Sequence, residues 1–161
     1  AQGWFTAVQV HKALGGGQDA HFTSAVEVAP FDGRIGPFSG QAVHFRHYAT
    51  EKLPYAHNRY QYEAQRHFGV LDARLAERRY MVADTYTIVD MDVWGWARLI
   101  PFILGDGAWD KFPNLKRLVD EIGARPAAAR AISLKDKHKF KAEMDDEARA
   151  HMFKHLAANA V

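Results

Sequence analysis

Apolar and polar residues alternate with a helical period from about residue 41 to the end of the chain. Ala64, Phe68, Leu71 and Leu75 follow steps of four, three and four, which predicts a helix over 54–78 with one apolar face. Pro54 suits the first turn of that helix, where a missing N–H costs nothing. Arg59–Glu63 and Glu63–Arg66 are helical neighbours, each pair worth about 0.3 kcal/mol on a solvated face.

A second helix is predicted over 88–104. Thr87 can cap the N–H of Asp90 while Asp90 reaches back to the Thr87 N–H, and Tyr86 and Met91 fall at the staple positions bracketing that box. The 17 residues that follow hold 12 apolar side chains and three charges, Asp90, Asp92 and Arg98. A helix apolar on every side is the buried centre of a bundle, and Trp94 and Trp96 are expected in its core. Pro101 is expected to kink it. Pro113 opens a third helix carrying Leu115, Leu118, Val119 and Ile122 on one face, and Gly123 and Pro126 mark a stop and a restart. Beyond Ser133 the chain is charge-dense, with Phe140, Met144, Ala148 and Met152 as a narrow apolar stripe. That pattern predicts an amphipathic tail helix lying on the bundle or on a partner chain. Residues 1–40 differ: they carry 7 of the 12 glycines, which favours turns and short elements.

Composition narrows the chemistry. At 161 residues the chain is long enough to bury one core. It has no cysteine, which removes disulfides, thiolate metal clusters and a protein-borne catalytic thiol. The net charge of +2 offers no concentrated basic face for nucleic acid. No apolar run approaches the ~20 residues of a membrane span. His44 and His47 could share a helix face, but no third ligand stands at a persuasive spacing, so no metal is expected. The triple glycine at 15–17 lacks the lysine and hydroxyl of a phosphate loop, and no serine elbow is present.

The run YMVADTYTIVDMDVW over 80–94 resembles the start of the central helix in the C-terminal domain of glutathione transferases. LPYAHNRYQYE over 53–63, preceded by GPFSGQAVHF over 36–45, is similar to the bacterial Nu class, the disulfide-bond-reductase type of that family. FPNL at 112–115 and ARPA at 124–127 continue the match to about Leu134. Residues 17–35 resemble the stretch leading to the cis-proline of the family's thioredoxin-like half. The family then expects a proline directly after Ile35, a β-hairpin and a Glu-Ser pair for the γ-glutamyl end of glutathione. Gly36 stands there instead and the pair is absent. A thioredoxin-like domain needs on the order of 75 residues, and about 35 precede the bundle. The chain is therefore expected to be either a natural truncation or a sequence that has lost segments.

The resemblance implies an all-α fold. A glutathione-transferase C-terminal-type helix bundle over 36–134 is preceded by a remnant of a thioredoxin-like α/β domain over 1–35 and followed by a charged helical tail over 135–161. It implies glutathione as co-substrate, with a small electrophile or disulfide as second substrate, in a cytoplasmic homodimer or a subunit of a larger assembly. Arg59 matches the arginine that reaches the glutathione pocket from the helical domain. A guanidinium fork pairs bidentately with a carboxylate, and glutathione presents two. A surface ion pair with Glu63 is the other reading of Arg59. Tyr55 and Tyr62, about one turn to either side, could line the same pocket or simply pack. Thr87 and Asp90 are expected to be structural. The residue that activates the thiol is not assigned: Thr6 is early enough, but its surroundings do not match the family's motif. A non-catalytic, transferase-like assembly module is the alternative function.

Overall fold

The computed structural model describes residues 34–82, 84–138, 141 and 143–154. Residues 1–33 of the thioredoxin-like remnant expected over 1–35, as well as Phe140 of the tail stripe and residues 155–161 of the tail, lie outside them. Among the described residues the chain is helical, with one isolated antiparallel bridge between Val82 and Thr85 and no strand. The order is α1 (Ile35–Val43), a π-helical turn (His44–Tyr48), α2 (Pro54–Leu75), α3 (Ile88–Ala97), α4 (Ile100–Leu104), a 3-10 turn (Ala108–Lys111), α5 (Pro113–Gly123), α6 (Pro126–Lys137) and α7 (Asp146–Met152).

The core forms where the apolar stripes of these helices meet. Ala64, Phe68, Leu71 and Leu75 of α2 are all buried, as their spacing predicts. They join Leu115, Leu118 and Ile122 of α5 and Val93, Ala97, Ile100 and Ile103 of α3 and α4 in one cluster. Ile35 and Ala42 bring α1 into it. Gly36 lets α1 approach α3 closely: a Cβ there would stand 3.1 Å from the Trp96 indole. Prolines open α2, α5 and α6 in their first turns, and α5 ends at Gly123 as expected.

Several local expectations change. The helix predicted over 54–78 ends at Leu75, and the carbonyls of Arg78 and Arg79 accept from Arg117 of α5 instead of continuing the helix. The segment 88–104 is two helices rather than one kinked helix. It breaks at Arg98–Leu99, and Pro101 lies in the first turn of α4. A proline at that point has no N–H to return to Ala97 and its ring would crowd that carbonyl, so a new helix starts there. Nor is α3 buried all round. Val93 and Ala97 are buried, while Ile88 and Met91 of α3, Leu99 in the break and Phe102 of α4 are exposed. Trp94 and Trp96 are half-buried at the edge of the core. At the staple positions Met91 is exposed, and Tyr86 packs against Tyr80 and under the Arg125 guanidinium, 3.6 Å from its ring centre. In the tail, Met152 is exposed and Phe153 makes the ring contacts to the body.

Candidate functional site

The capping box at α3 is formed. The Thr87 Oγ1 accepts from the Val89 and Asp90 N–H groups, and the Asp90 carboxylate accepts from the Thr87 N–H at 2.8 Å. Asp90 is completely buried, and its other oxygen accepts the Met81 N–H at 2.8 Å. With both oxygens engaged by backbone donors, this carboxylate is a structural anchor and is not poised as a general acid.

The exposed face of α2 has a different character. Tyr55, Arg59 and Tyr62 stand at steps of four and three, so they share one side of the helix. Tyr55 is 84% exposed and Tyr62 63%, so neither ring is core packing. Arg59 is half exposed and its Nη1 lies 3.3 Å from the Glu63 Oε1, so the ion pair read from the sequence forms. Glu63 is itself buried, and its Oε2 accepts from the Arg66 Nε at 3.0 Å. The Arg66 hydrogen bond holds the Glu63 carboxyl below the usual carboxylate range, and Arg59 adds to that. Glu63 therefore remains an anion between two arginines. An arginine has five N–H donors in a planar fork, and only the Nη1 of Arg59 is paired with Glu63, leaving donors for a second carboxylate.

Beneath this face lies a residue that sequence reasoning passed over. His67 is buried on the inner side of α2, its ring 5.1 Å from that of Phe38 on α1. Arg66 donates to its Nε2 at 2.8 Å. Burial, and after it the Arg66 charge, pushes the His67 imidazole below its ordinary value. A polar residue one step from Phe68 in the apolar stripe was the available signal. The sequence could not show what it touches.

The histidines weighed as metal ligands are engaged by rings: His44 by Phe45 and Phe153, and His47 by Tyr48 and Phe102. No helix among the described residues is long and apolar enough to cross a membrane.

The described residues form an α-helical bundle in which a capping box starts α3. The chain belongs to the family described as glutathione S-transferase, C-terminal domain, which matches residues 41–131, more than half of its length. It is 39% identical over 103 residues to the disulfide-bond oxidoreductase YghU of Escherichia coli K12, covering 58% of this chain and 35% of that protein. It is 33% identical over 122 residues to the disulfide-bond oxidoreductase YfcG of the same organism, covering 71% of this chain and 49% of that protein. Its structure is similar to that of a glutathione transferase from Burkholderia graminis with two glutathione molecules bound per subunit. There the TM-score is 0.66 at 27% identity, over 79% of this chain and 57% of that one. The chain thus spans half or less of the length of these two curated relatives.

Proposed function

We propose that the chain is the helical part of a Nu-type glutathione transferase that uses glutathione for thiol–disulfide exchange or for conjugation to electrophiles. In this reading the bundle over 36–134 is the transferase domain, 1–35 is the thioredoxin-like segment and 135–161 is an accessory tail. Arg59 receives a glutathione carboxylate, while Tyr55 and Tyr62 flank the bound peptide or the apolar part of the second substrate. The observation that carries the reading is the presentation of Arg59: a buried, ionised Glu63 pairs with its Nη1 on an exposed helix face, between two exposed aromatic rings. The names of the relatives and the two glutathione molecules in the Burkholderia graminis enzyme support it.

Glutathione supplies the thiol that the chain lacks. In exchange, its thiolate attacks one sulfur of a disulfide, a new mixed disulfide forms, and the other sulfur leaves as a thiolate. A second glutathione then attacks the mixed disulfide, releasing the reduced substrate thiol and oxidised glutathione. In conjugation the same thiolate attacks an electrophilic carbon, and a C–S bond forms as a leaving group departs with its electron pair, or as an activated double bond opens and its far carbon takes a proton from water. The protein's contribution is to bind and orient the peptide through its carboxylates. A cytoplasmic homodimer is the setting that suits this chemistry.

The competing proposal is a non-catalytic module for assembly. The exposed apolar side chains of Ile88, Met91, Leu99 and Phe102 favour it, since exposed apolar surface fits a partner. Reduction of a small model disulfide by glutathione, with the protein present and absent, separates the two. The transferase reading expects a protein-dependent rate that falls about tenfold or more in Arg59→Ala. An unaccelerated rate favours the assembly module.

A further inference from the structure

The turn between α1 and α2 is a π-helix, and every ring it carries is held by a ring elsewhere. The Ala49 N–H donates to the His44 carbonyl at 2.8 Å, the i to i−5 bond that defines the wide turn. Phe45 stacks on Tyr60 of α2 with centroids 5.4 Å apart and planes within 2°. His47 stacks on Phe102 of α4 at 4.2 Å and 3°, and its Nε2–H donates to the Phe102 carbonyl at 2.8 Å. The remaining two rings, His44 and Tyr48, meet Phe153 beyond the end of α7, at 5.0 Å and 6.3 Å. A wide turn of this kind is less favourable than continued α-helix and persists when surrounding contacts over-determine it.

Two of these three holds come from helices rooted in the core. The third comes from the tail, which is built differently. α7 has seven residues and none of them is buried. Its start is secured locally, by Asp145 accepting the Ala148 N–H at 2.9 Å and by Lys141 lying 2.7 Å from both Asp145 and Glu147. A helix of that length does not persist alone in water, so its attachment depends on what it touches.

We propose that α7 and Phe153 form a releasable clamp on the π-helical turn. When the tail is docked, the turn keeps its wide form. When the tail leaves, His44 and Tyr48 lose their contact with Phe153 and keep only their neighbours within the turn, Phe45 and His47, so the turn loosens while the Phe45–Tyr60 and His47–Phe102 stacks remain. Five residues, 49–53, join the turn to the start of α2, so the clamp adjusts the end of the helix that carries Tyr55, Arg59 and Tyr62. That last consequence rests on the proposed glutathione reading; the clamp itself does not.

Hydrogen–deuterium exchange on the full chain tests it, comparing the natural sequence with Phe153→Ala, His44→Ala and Met152→Ala. Phe153→Ala should speed exchange of the amides of 45–49 by about fivefold or more, with the α2 amides of 64–71 unchanged. His44→Ala should reciprocally speed exchange in α7, because coupling between two sites acts in both directions. Met152→Ala removes an exposed neighbour of Phe153 and should alter neither segment. Exchange at 45–49 within twofold of the natural sequence in Phe153→Ala overturns the clamp. So does an unchanged α7 in His44→Ala, or a rise in the 64–71 amides as large as that at 45–49. These readouts need no glutathione, so the clamp can fail while the Arg59 reading stands, and the reverse.

Discussion

Asp90 ties Met81 to the start of α3: one oxygen of a completely buried carboxylate accepts the Met81 N–H at 2.8 Å, while the other accepts the Thr87 N–H at 2.8 Å. One side chain thus caps a helix and pins the connection that precedes it. Asp90→Ala strands two backbone donors and should lower stability by about 3 kcal/mol in urea unfolding. Thr87→Ala removes only the capping hydroxyl and should cost about 1 kcal/mol. Equal losses for the two variants would contradict the double role of Asp90.

His67 makes stability depend on pH. Arginine has no acceptor, so Arg66 donates and the His67 Nε2 accepts, which places the proton of the neutral ring on Nδ1. That Nδ1 is buried with no hydrogen-bond partner. The unfolded chain protonates this imidazole near pH ~6.5, whereas the folded chain does so only at lower pH, because burial depresses the value. The unfolded state therefore binds more protons between those two values, and stability rises with pH across that window. The His67 contribution is complete above pH ~6.5 and declines as pH falls below it. Glu63 behaves like a depressed carboxyl: its contribution is present above the ordinary carboxylate value and is lost as pH falls through the lower folded value. Melting temperature measured from pH 8 to pH 3 should fall in two stages, and His67→Leu should remove the upper one. Persistence of the upper stage in that variant assigns it to another group.

Gly105 and Gly107 both adopt positive φ, +102° and +77°, on either side of a tight connection between α4 and the 3-10 turn. They differ in surroundings. A Cβ on Gly105 would stand 2.8 Å from the Arg46 guanidinium, whereas one on Gly107 would meet nothing within 4 Å. Gly107→Ala should cost about 1 kcal/mol for the backbone alone. Gly105→Ala combines a backbone region that only glycine adopts easily with displacement of Arg46, and should cost about 2 kcal/mol. Thermal unfolding of the two variants checks the ranking.

Leu118 and Phe68 are completely buried in the shared core of α5 and α2. Truncation of either to alanine should cost about 3–5 kcal/mol, through lost burial and the cavity left behind. A small loss would mean the core collapses around the gap.

The parts of the fold that could be read from the sequence are those whose physics is local. The Thr87–Asp90 box spans four residues, and the Ala64-to-Leu75 stripe repeats with the helix turn. Prolines and glycines punctuate α2, α5 and α6 where the backbone requires them. What escaped was the second partner of each side chain. The box predicts that Asp90 receives Thr87, but nothing in its spacing points to Met81. The twelve apolar residues over 88–104 read as a helix buried all round, because composition does not reveal which face stays uncovered. The break at Arg98–Leu99 follows from Pro101 starting a helix rather than bending one, and both outcomes are open to a proline at that position. The stack of His47 on Phe102 and the contact of His44 with Phe153 join residues far apart in sequence, with no periodicity to announce them. On the candidate site, the Arg59–Glu63 pair follows from its spacing, whereas the burial of Glu63 has no local signal and the setting of His67 depends on Phe38 of α1.

The central claim is that Arg59 receives a carboxylate of glutathione. Titration calorimetry of glutathione into the protein, Arg59→Lys and Arg59→Ala tests it most directly. Binding to the natural sequence is expected, with about tenfold weaker binding to the lysine variant, which keeps the charge without the fork, and the greatest loss in the alanine variant. Undiminished affinity in Arg59→Ala, or no binding to any of the three, would contradict it.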